Sequence, residues 1–195
     1  MGMQDSGAVI SIANGFIRLF RGKRMELPVS ITAYIMSIPV FGDVTMILTA
    51  PIANVLSKRT GTSMSQMAAW LVTGQFLTHG LVPPTPGILA VTLALGASLA
   101  GVIGWGLLLT ALGFFVSYLI WNKWVGKEYI PPREDFTAGI EPAPPNATVD
   151  ELLIEAGNVP NFFAALSPIF MPVIILTISS VGMAVLPADS NLMPI

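Results

Sequence analysis

The chain has 195 residues, of which 53% are hydrophobic and only 10% charged, with a mean hydropathy of +0.74. Soluble domains carry about a quarter charged residues, so this composition excludes an ordinary water-soluble globule and reads as an integral membrane protein. A net charge of −2 argues against a nucleic-acid or polyanion partner. Without cysteine there is no disulfide scaffold, thiolate metal site or cysteine nucleophile. Residues 1–17 do not read as a secretory leader, since they lack a basic segment and a small-residue cleavage site.

The placement of the charges says more than their number. All nine cations fall in three clusters: Arg18, Arg21, Lys23 and Arg24; Lys58 and Arg59; Lys123, Lys127 and Arg133. Loops on the cytoplasmic side of a membrane collect positive residues, so all three clusters are expected inside. The cation-free stretches 27–57 and 60–122 must then cross an even number of times, or dip in and return.

Residues 8–20 are too short to span a bilayer, which takes about 20 helical residues. They read as a helix along the inner interface, with Arg18 and Arg21 at its wet end. Residues 27–57 form a long apolar run broken at Ile38-Pro39-Val40-Phe41-Gly42-Asp43, with a second proline at Pro51. Straight, the run would measure about 46 Å, well over the ~30 Å hydrocarbon core. It reads as a re-entrant helical hairpin with its tip at Pro39–Asp43; a single tilted span is the alternative.

Residues 64–97 read as one crossing made of two half-helices, about Ser65–Leu77 and Pro86–Leu95. Between them lies Thr78-His79-Gly80-Leu81-Val82-Pro83-Pro84-Thr85-Pro86-Gly87, with the only histidine, three prolines and two glycines. Each proline lacks an N–H and pushes the preceding residue out of helical geometry. Thr85 suits an N-cap and Pro86 the first helical position, so the second half-helix has a proper start at membrane depth. Residues 99–121 predict an ordinary returning span, anchored by Trp121, Trp124 and Lys123. Residues 123–158, with Pro131, Pro132, Pro142, Pro144 and Pro145, predict an extended cytoplasmic loop carrying a short helix at Val149–Ala156. Asp150 and Glu151 fall in that helix's first turn, where the dipole favours acids. Residues 160–186 predict a further span with Pro168 and Pro172 near its start.

The domain organisation is accordingly a transport module at 1–122, a proline-rich loop at 123–158 and a further transmembrane span in 159–195. The fold class is an all-α polytopic membrane protein with a re-entrant hairpin, a broken transmembrane helix and spanning helices.

The motif at 78–87, together with Ile38–Val44, Ala50-Pro51, Lys58-Arg59-Thr60-Gly61 and Leu95-Gly96-Ala97, resembles the gluconate permease family of organic-acid:proton symporters. The chain departs from that family's pattern at Gly42 and Ser98. The resemblance covers about residues 5–187 and implies one inverted-repeat half of a secondary transporter, an internal portion of a permease. It further implies an inner-membrane, multi-pass location, alternating access around a midplane site, and gluconate or a related hydroxy-carboxylate as substrate. The remaining half, or a second copy of the chain, is the expected partner, beside the lipid bilayer.

A sugar acid brings a carboxylate and hydroxyls, and no Lys or Arg lies in 60–122 to meet the carboxylate. The N-terminal end of the second half-helix can do so through free N–H groups and its positive dipole. Thr85, Gly87 and nearby backbone are the expected carboxylate contacts; Gln75, Thr78, His79 and Gly80 complete the substrate site, with Gln75, Thr78 and His79 toward hydroxyls. A packed kink, with Thr78 and Thr85 as mere caps, is the plainer reading. His79 titrates nearest neutral pH, and ionisable groups within membranes are by default functional. Asp43 is the only acid between 27 and 122; if buried, its pKa would rise through desolvation, which suits a proton carrier. Asp43 and His79 are therefore the proton-coupling candidates, with a helix cap as the alternative for Asp43.

Gly96, Gly101, Gly104 and Gly106 read as close-packing positions. No metal, cofactor or catalytic residue is expected. The rival functions are transport of citrate, a hydroxyacid or serine, a non-transporting membrane subunit or remnant, and a membrane-embedded enzyme using His79 and Asp43.

Overall fold

The computed structural model describes residues 7–38, 40–125, 127–144, 146–155, 159–167, 171 and 174–175. Among them every regular element is helical and there is no strand. The helices are α1 (Ala8–Phe20), α2 (Glu26–Met36), α3 (Gly42–Thr60), α4 (Met64–Leu81), α5 (Pro86–Ala94), α6 (Leu99–Trp124) and the four-residue α7 (Val149–Leu152). A 3-10 turn occupies Glu134–Phe136. Two apolar stretches are long enough to cross a membrane: Met64–Ala94, which holds α4 and α5, and Leu99–Trp124.

In α1 the buried residues Val9, Ile12, Ala13, Phe16 and Ile17 recur at helical spacing and form one apolar face. They join Ile52, Ala53 and Leu56 of α3 in the core. The helix stops at Arg21 and Gly22, both left-handed, where the Gly22 N–H closes on the Ile17 carbonyl.

Direction follows from what meets at each end. Arg24, Glu26, Thr60, Gly61, Ser63, Gln66 and Lys127 line one cleft, so the start of α2, the end of α3 and the start of α4 lie together. The chain thus reverses between α2 and α3, and α2 and α4 run the same way with α3 opposed. Pro51 is carried inside α3 without ending it, although it removes one helix hydrogen bond. Along α6, Gly113 sits on Leu77 and Gly106 on Leu81, so α6 is antiparallel to α4.

Close packing of α2 on α4 requires glycine at position 74. A Cβ there would run into the Ser30 carbonyl, while the Ser30 hydroxyl donates to the Trp70 carbonyl at 2.6 Å. Trp70 is fully buried and stacks near Phe114 and Tyr118 of α6, with ring centroids 5.4 and 6.0 Å away. The α6 residue Trp121 donates its indole N–H to Thr73 at 2.8 Å, whereas Trp124 is exposed. The opposite side of α6 bares Trp105, Leu108, Leu112, Phe115 and Leu119.

All three basic clusters converge on the end where α2 and α4 begin. The Arg24 guanidinium lies over the Tyr118 ring, 5.2 Å from its centroid. Lys58 donates to Thr137, and Arg59 donates to the carbonyls of Glu141, Glu151, Leu152 and Leu153. The loop beyond α6 is consequently strapped to the bundle. Ser63 accepts from the Ile130 N–H, Asn54 from the Arg133 N–H, and Asn14 exchanges two hydrogen bonds with the backbone of Ile154.

Those bonds shorten the helix expected at Val149–Ala156. Thr148 and Glu151 form a capping box that starts α7, but Leu153 is already extended because its carbonyl and those before it turn to Arg59. Ala156 itself, Pro39, Pro145, Pro168, Pro172 and most of the span expected at 160–186 fall outside the described residues; 162–167 is helical.

Gly74→Ala is expected to destabilise the protein by about 1–3 kcal/mol, the cost of overpacking a close helix contact. Thermal unfolding in detergent measures it, and an unchanged midpoint would mean that α2 and α4 are not in this register.

Candidate functional site at the helix break

The break between α4 and α5 is four residues long. Pro83 cannot donate to a helix carbonyl and holds Val82 extended, at φ −118° and ψ 119°. The last helical bond of α4 runs from the Val82 N–H to the Thr78 carbonyl at 2.9 Å. Helix therefore persists to Leu81, beyond the Leu77 end expected from sequence. The prolines restrict the residue just before them and not those further upstream, so Thr78, His79 and Gly80 ride on the last turn of α4. They do not lie in unwound chain.

Thr85 occupies the N-cap position of α5 with Pro86 at the first helical position. Its hydroxyl, however, donates back to the Val82 carbonyl at 3.1 Å and makes no capping bond. Among the described residues no hydrogen bond reaches the Gly87 or Ile88 N–H; the first closed bond of α5 runs from Leu89 to Thr85 at 2.9 Å. Two open N–H groups and the positive end of a helix thus point out of the break. Gly87 and Gly80 are exposed, and a Cβ on either would meet nothing within 4 Å. Behind the break α6 comes close enough that a Cβ on Gly106 would sit 2.5 Å from the Leu81 carbonyl.

The turn between α2 and α3 is held against the same end of α4. Thr78 donates to the Tyr34 carbonyl at 2.8 Å, satisfying one of the carbonyls that the last turn of α2 leaves open. Tyr34 in turn meets Thr110 of α6 at 2.5 Å. Phe41 places its ring 5.9 Å from the imidazole of His79. This end also collects buried polar atoms without partners: Ser37 Oγ, Thr45 Oγ1, Gln75 Oε1 and His79 Nδ1. Most buried polar atoms in folded proteins are paired, so these orphans stand out, with a fifth, Trp70 Nε1, lower on α4.

Of the residues singled out from sequence, Gln75, Thr78 and Thr85 are buried, His79 is half-buried, and Gly80 and Gly87 are exposed. Asp43 lies exposed in the first turn of α3, in the place where the helix dipole favours an acid. Phe41, two residues before it, is the residue that reaches His79. Ser37, Phe41 and Thr45 escaped the sequence reading. The polar members, recurring in an otherwise apolar run with Ser30 and Thr49, were the available signal. No group of three or more His, Cys, Asp or Glu side chains among the described residues could hold a metal. A cavity of about 900 Å³ lies away from the break, between Val9, Met46, Pro51, Asn54, Ala68 and Phe136.

Two helical stretches apolar and long enough to cross a membrane, one of them interrupted at prolines with open backbone N–H groups, are consistent with a helical membrane protein. The comparison with known proteins agrees and is more specific. Residues 1–195 match the GntP family permeases, and the chain belongs to that family. It is 29% identical over 180 residues to an uncharacterized permease of Haemophilus influenzae, covering 92% of this chain and 36% of that one. A gluconate permease of Pseudomonas aeruginosa is 27% identical over 91% of this chain and 38% of its own. A D-serine transporter of Escherichia coli is 26% identical over 97% and 40% respectively. The chain thus spans about two fifths or less of the length of these relatives. No solved structure matches it.

Thr78→Val should lower the unfolding midpoint by the equivalent of about 1–3 kcal/mol, because it strands a buried carbonyl, while Thr78→Ser should not. Equal midpoints for the two would remove Thr78 as the tie between α2 and α4.

Proposed function

We propose that this chain forms the substrate-binding half of a proton-coupled secondary transporter for gluconate or a related small hydroxy-carboxylate. The observation that carries the reading is the start of α5: open Gly87 and Ile88 N–H groups in a region without Lys or Arg. Such an end attracts a carboxylate without a fixed cation. Thr78 and His79 stand about one turn from the break and Gln75 about two, along the line where a polyhydroxylated chain would extend. Membership of the permease family and the gluconate permeases among the relatives support the choice of ligand.

In this reading α2 and α3 form a re-entrant hairpin whose tip, at 37–41, lies at membrane depth beside the break. The end gathering the basic clusters faces the cytoplasm of a cell-membrane protein that crosses several times. The transport module is then 1–122, the strapped loop 123–158 is its inner cover, and 159–195 carries a further span. A second inverted half, or a second copy of this chain, closes the midplane site. Asp43 and His79 are the proton-coupling groups, with Phe41, two residues before Asp43, against the His79 ring. Asp43 would gain its burial from that partner. The D-serine transporter among the relatives favours a second reading, in which the carboxylate belongs to an amino acid.

A thermal-shift screen of gluconate, idonate, citrate and D-serine on the membrane-embedded protein separates these ligands. Gly87→Leu should weaken the binding found there at least roughly tenfold, about 1.4 kcal/mol, with an unchanged unfolding midpoint. Undiminished binding would move the carboxylate away from α5. Asp43→Asn should preserve counterflow exchange and abolish pH-driven accumulation in proteoliposomes; persisting accumulation removes Asp43 from the proton path.

A further inference from the structure

Glu26 is the one charged side chain buried among the described residues, at 4% exposure, and nothing in the transport reading so far uses it. It opens α2, at the root of the pair whose tip meets the helix break. The cleft around it, about 410 Å³, is walled by Thr60–Ser63 from the end of α3, by Gln66 from the first turn of α4, and by Lys127 and Tyr129 from the strap. Three elements that must shift relative to one another if the hairpin moves therefore share this carboxyl. The titratable and charged groups around it are Arg24, Lys127 and Tyr129. Arg24 directs its guanidinium to the hydroxyl and ring of Tyr118, so no cation closes on Glu26 as an ion pair. Lys58 and Arg59, on the neighbouring turn of α3, are engaged with the strap's carbonyls.

We propose that Glu26 is a proton-linked latch: the floor of the cleft is shut over its neutral carboxylic acid and opens as the proton leaves for solvent on that side. The step is a simple dissociation, carboxylic acid and water giving carboxylate and hydronium, with no other reactant. Burial of an unpaired carboxylate is costly, so an ionised Glu26 favours a hydrated, open cleft. Burial also raises its pKa above the ordinary value, although its own backbone N–H, Arg24 and Gln66 oppose the shift. The sign follows: the shut form is fully favoured below the ordinary carboxylate range and loses that advantage as pH rises through the raised value. Resting on the transport reading, the latch would link proton release on the inner side to opening there, acting on the tip through α2. Glu26 is thus a positioning residue, not a substrate contact.

The absence of native cysteine allows a single label in the cleft wall. With Thr62→Cys carrying a pH-insensitive, environment-sensitive bimane in the membrane-embedded protein, emission should titrate from a dry to a wet signal as pH rises, with a midpoint above the ordinary glutamate range. Glu26→Gln should abolish the titration and fix the dry signal. Glu26→Asp should retain a titration, which tests the idea should the glutamine variant fail to fold. A flat profile in the unsubstituted background, or one that survives in Glu26→Gln, overturns the latch. The readout needs no substrate, so a pH-dependent cleft in a protein without uptake would separate failure of the transport reading from failure of the latch.

Discussion

An apolar chain cannot leave peptide groups bare in hydrocarbon, and this constraint shapes the region around Val82–Thr85. Prolines make the interruption unavoidable, yet the surroundings satisfy only part of it. Thr85 closes on Val82, and Gly106 lets α6 approach the Leu81 carbonyl from behind. The Gly87 and Ile88 N–H groups are left open toward a face that Gly80 and Gly87 keep clear of side chains. In lipid such groups cost several kcal/mol each unless protein, water or a solute meets them. An anion bound as proposed would meet these groups, which a helix kinked only for packing would not need to leave open.

The packing brings a second element to the break. Serine, glycine and threonine on the facing stripes of α2 and α4 bring the backbones together: Ser30 against Gly74, then Tyr34 against Thr78. The stripe leads to Phe41 at His79, so the turn between α2 and α3 is carried to the level of the break. The orphaned Ser37, Thr45, Gln75 and His79 atoms belong to the last turns of α2 and α4 and the first turn of α3. Small residues do here what large apolar ones do in a soluble core, because without a hydrophobic drive between helices close contact and hydrogen bonds supply the cohesion.

Much of this was legible in the sequence, and the limits have physical causes. The α1 boundaries, the turn near Phe41, the start of α5 and the long α6 follow from proline placement and hydropathy, which are local. The cations converge at one end as their clustering implied. The end of α4 was placed four residues early because a proline's restriction was spread over the whole motif. The reach of a proline is short: it removes its own N–H and disturbs the residue before it. That Asp43 is exposed and Glu26 buried could not be read from sequence for a different reason. Burial of an acid depends on which elements meet around it, and Thr60–Ser63, Gln66 and Lys127 come together only in three dimensions. The strap was likewise invisible, since proline-rich polar chain reads as free loop until Arg59, Asn54 and Asn14 are seen to hold its backbone.

The two ends of the bundle thus differ in what they leave unsatisfied. At the tip the open groups are neutral donors and acceptors, suited to a solute that brings both charge and hydroxyls. At the root three cations are engaged: Arg24 on Tyr118, Lys58 and Arg59 on the strap. Among the described residues only Glu26 is a buried charged side chain, and no cation closes on it as an ion pair. α2 joins the two ends in 11 residues, about 16 Å of rigid helix, so a change at the root displaces the tip directly. A carboxylate arriving at α5 and a proton leaving Glu26 would act on the same lever from opposite ends. That is the geometry by which a binding event at one level and an ionisation at another come to share a single free energy of coupling.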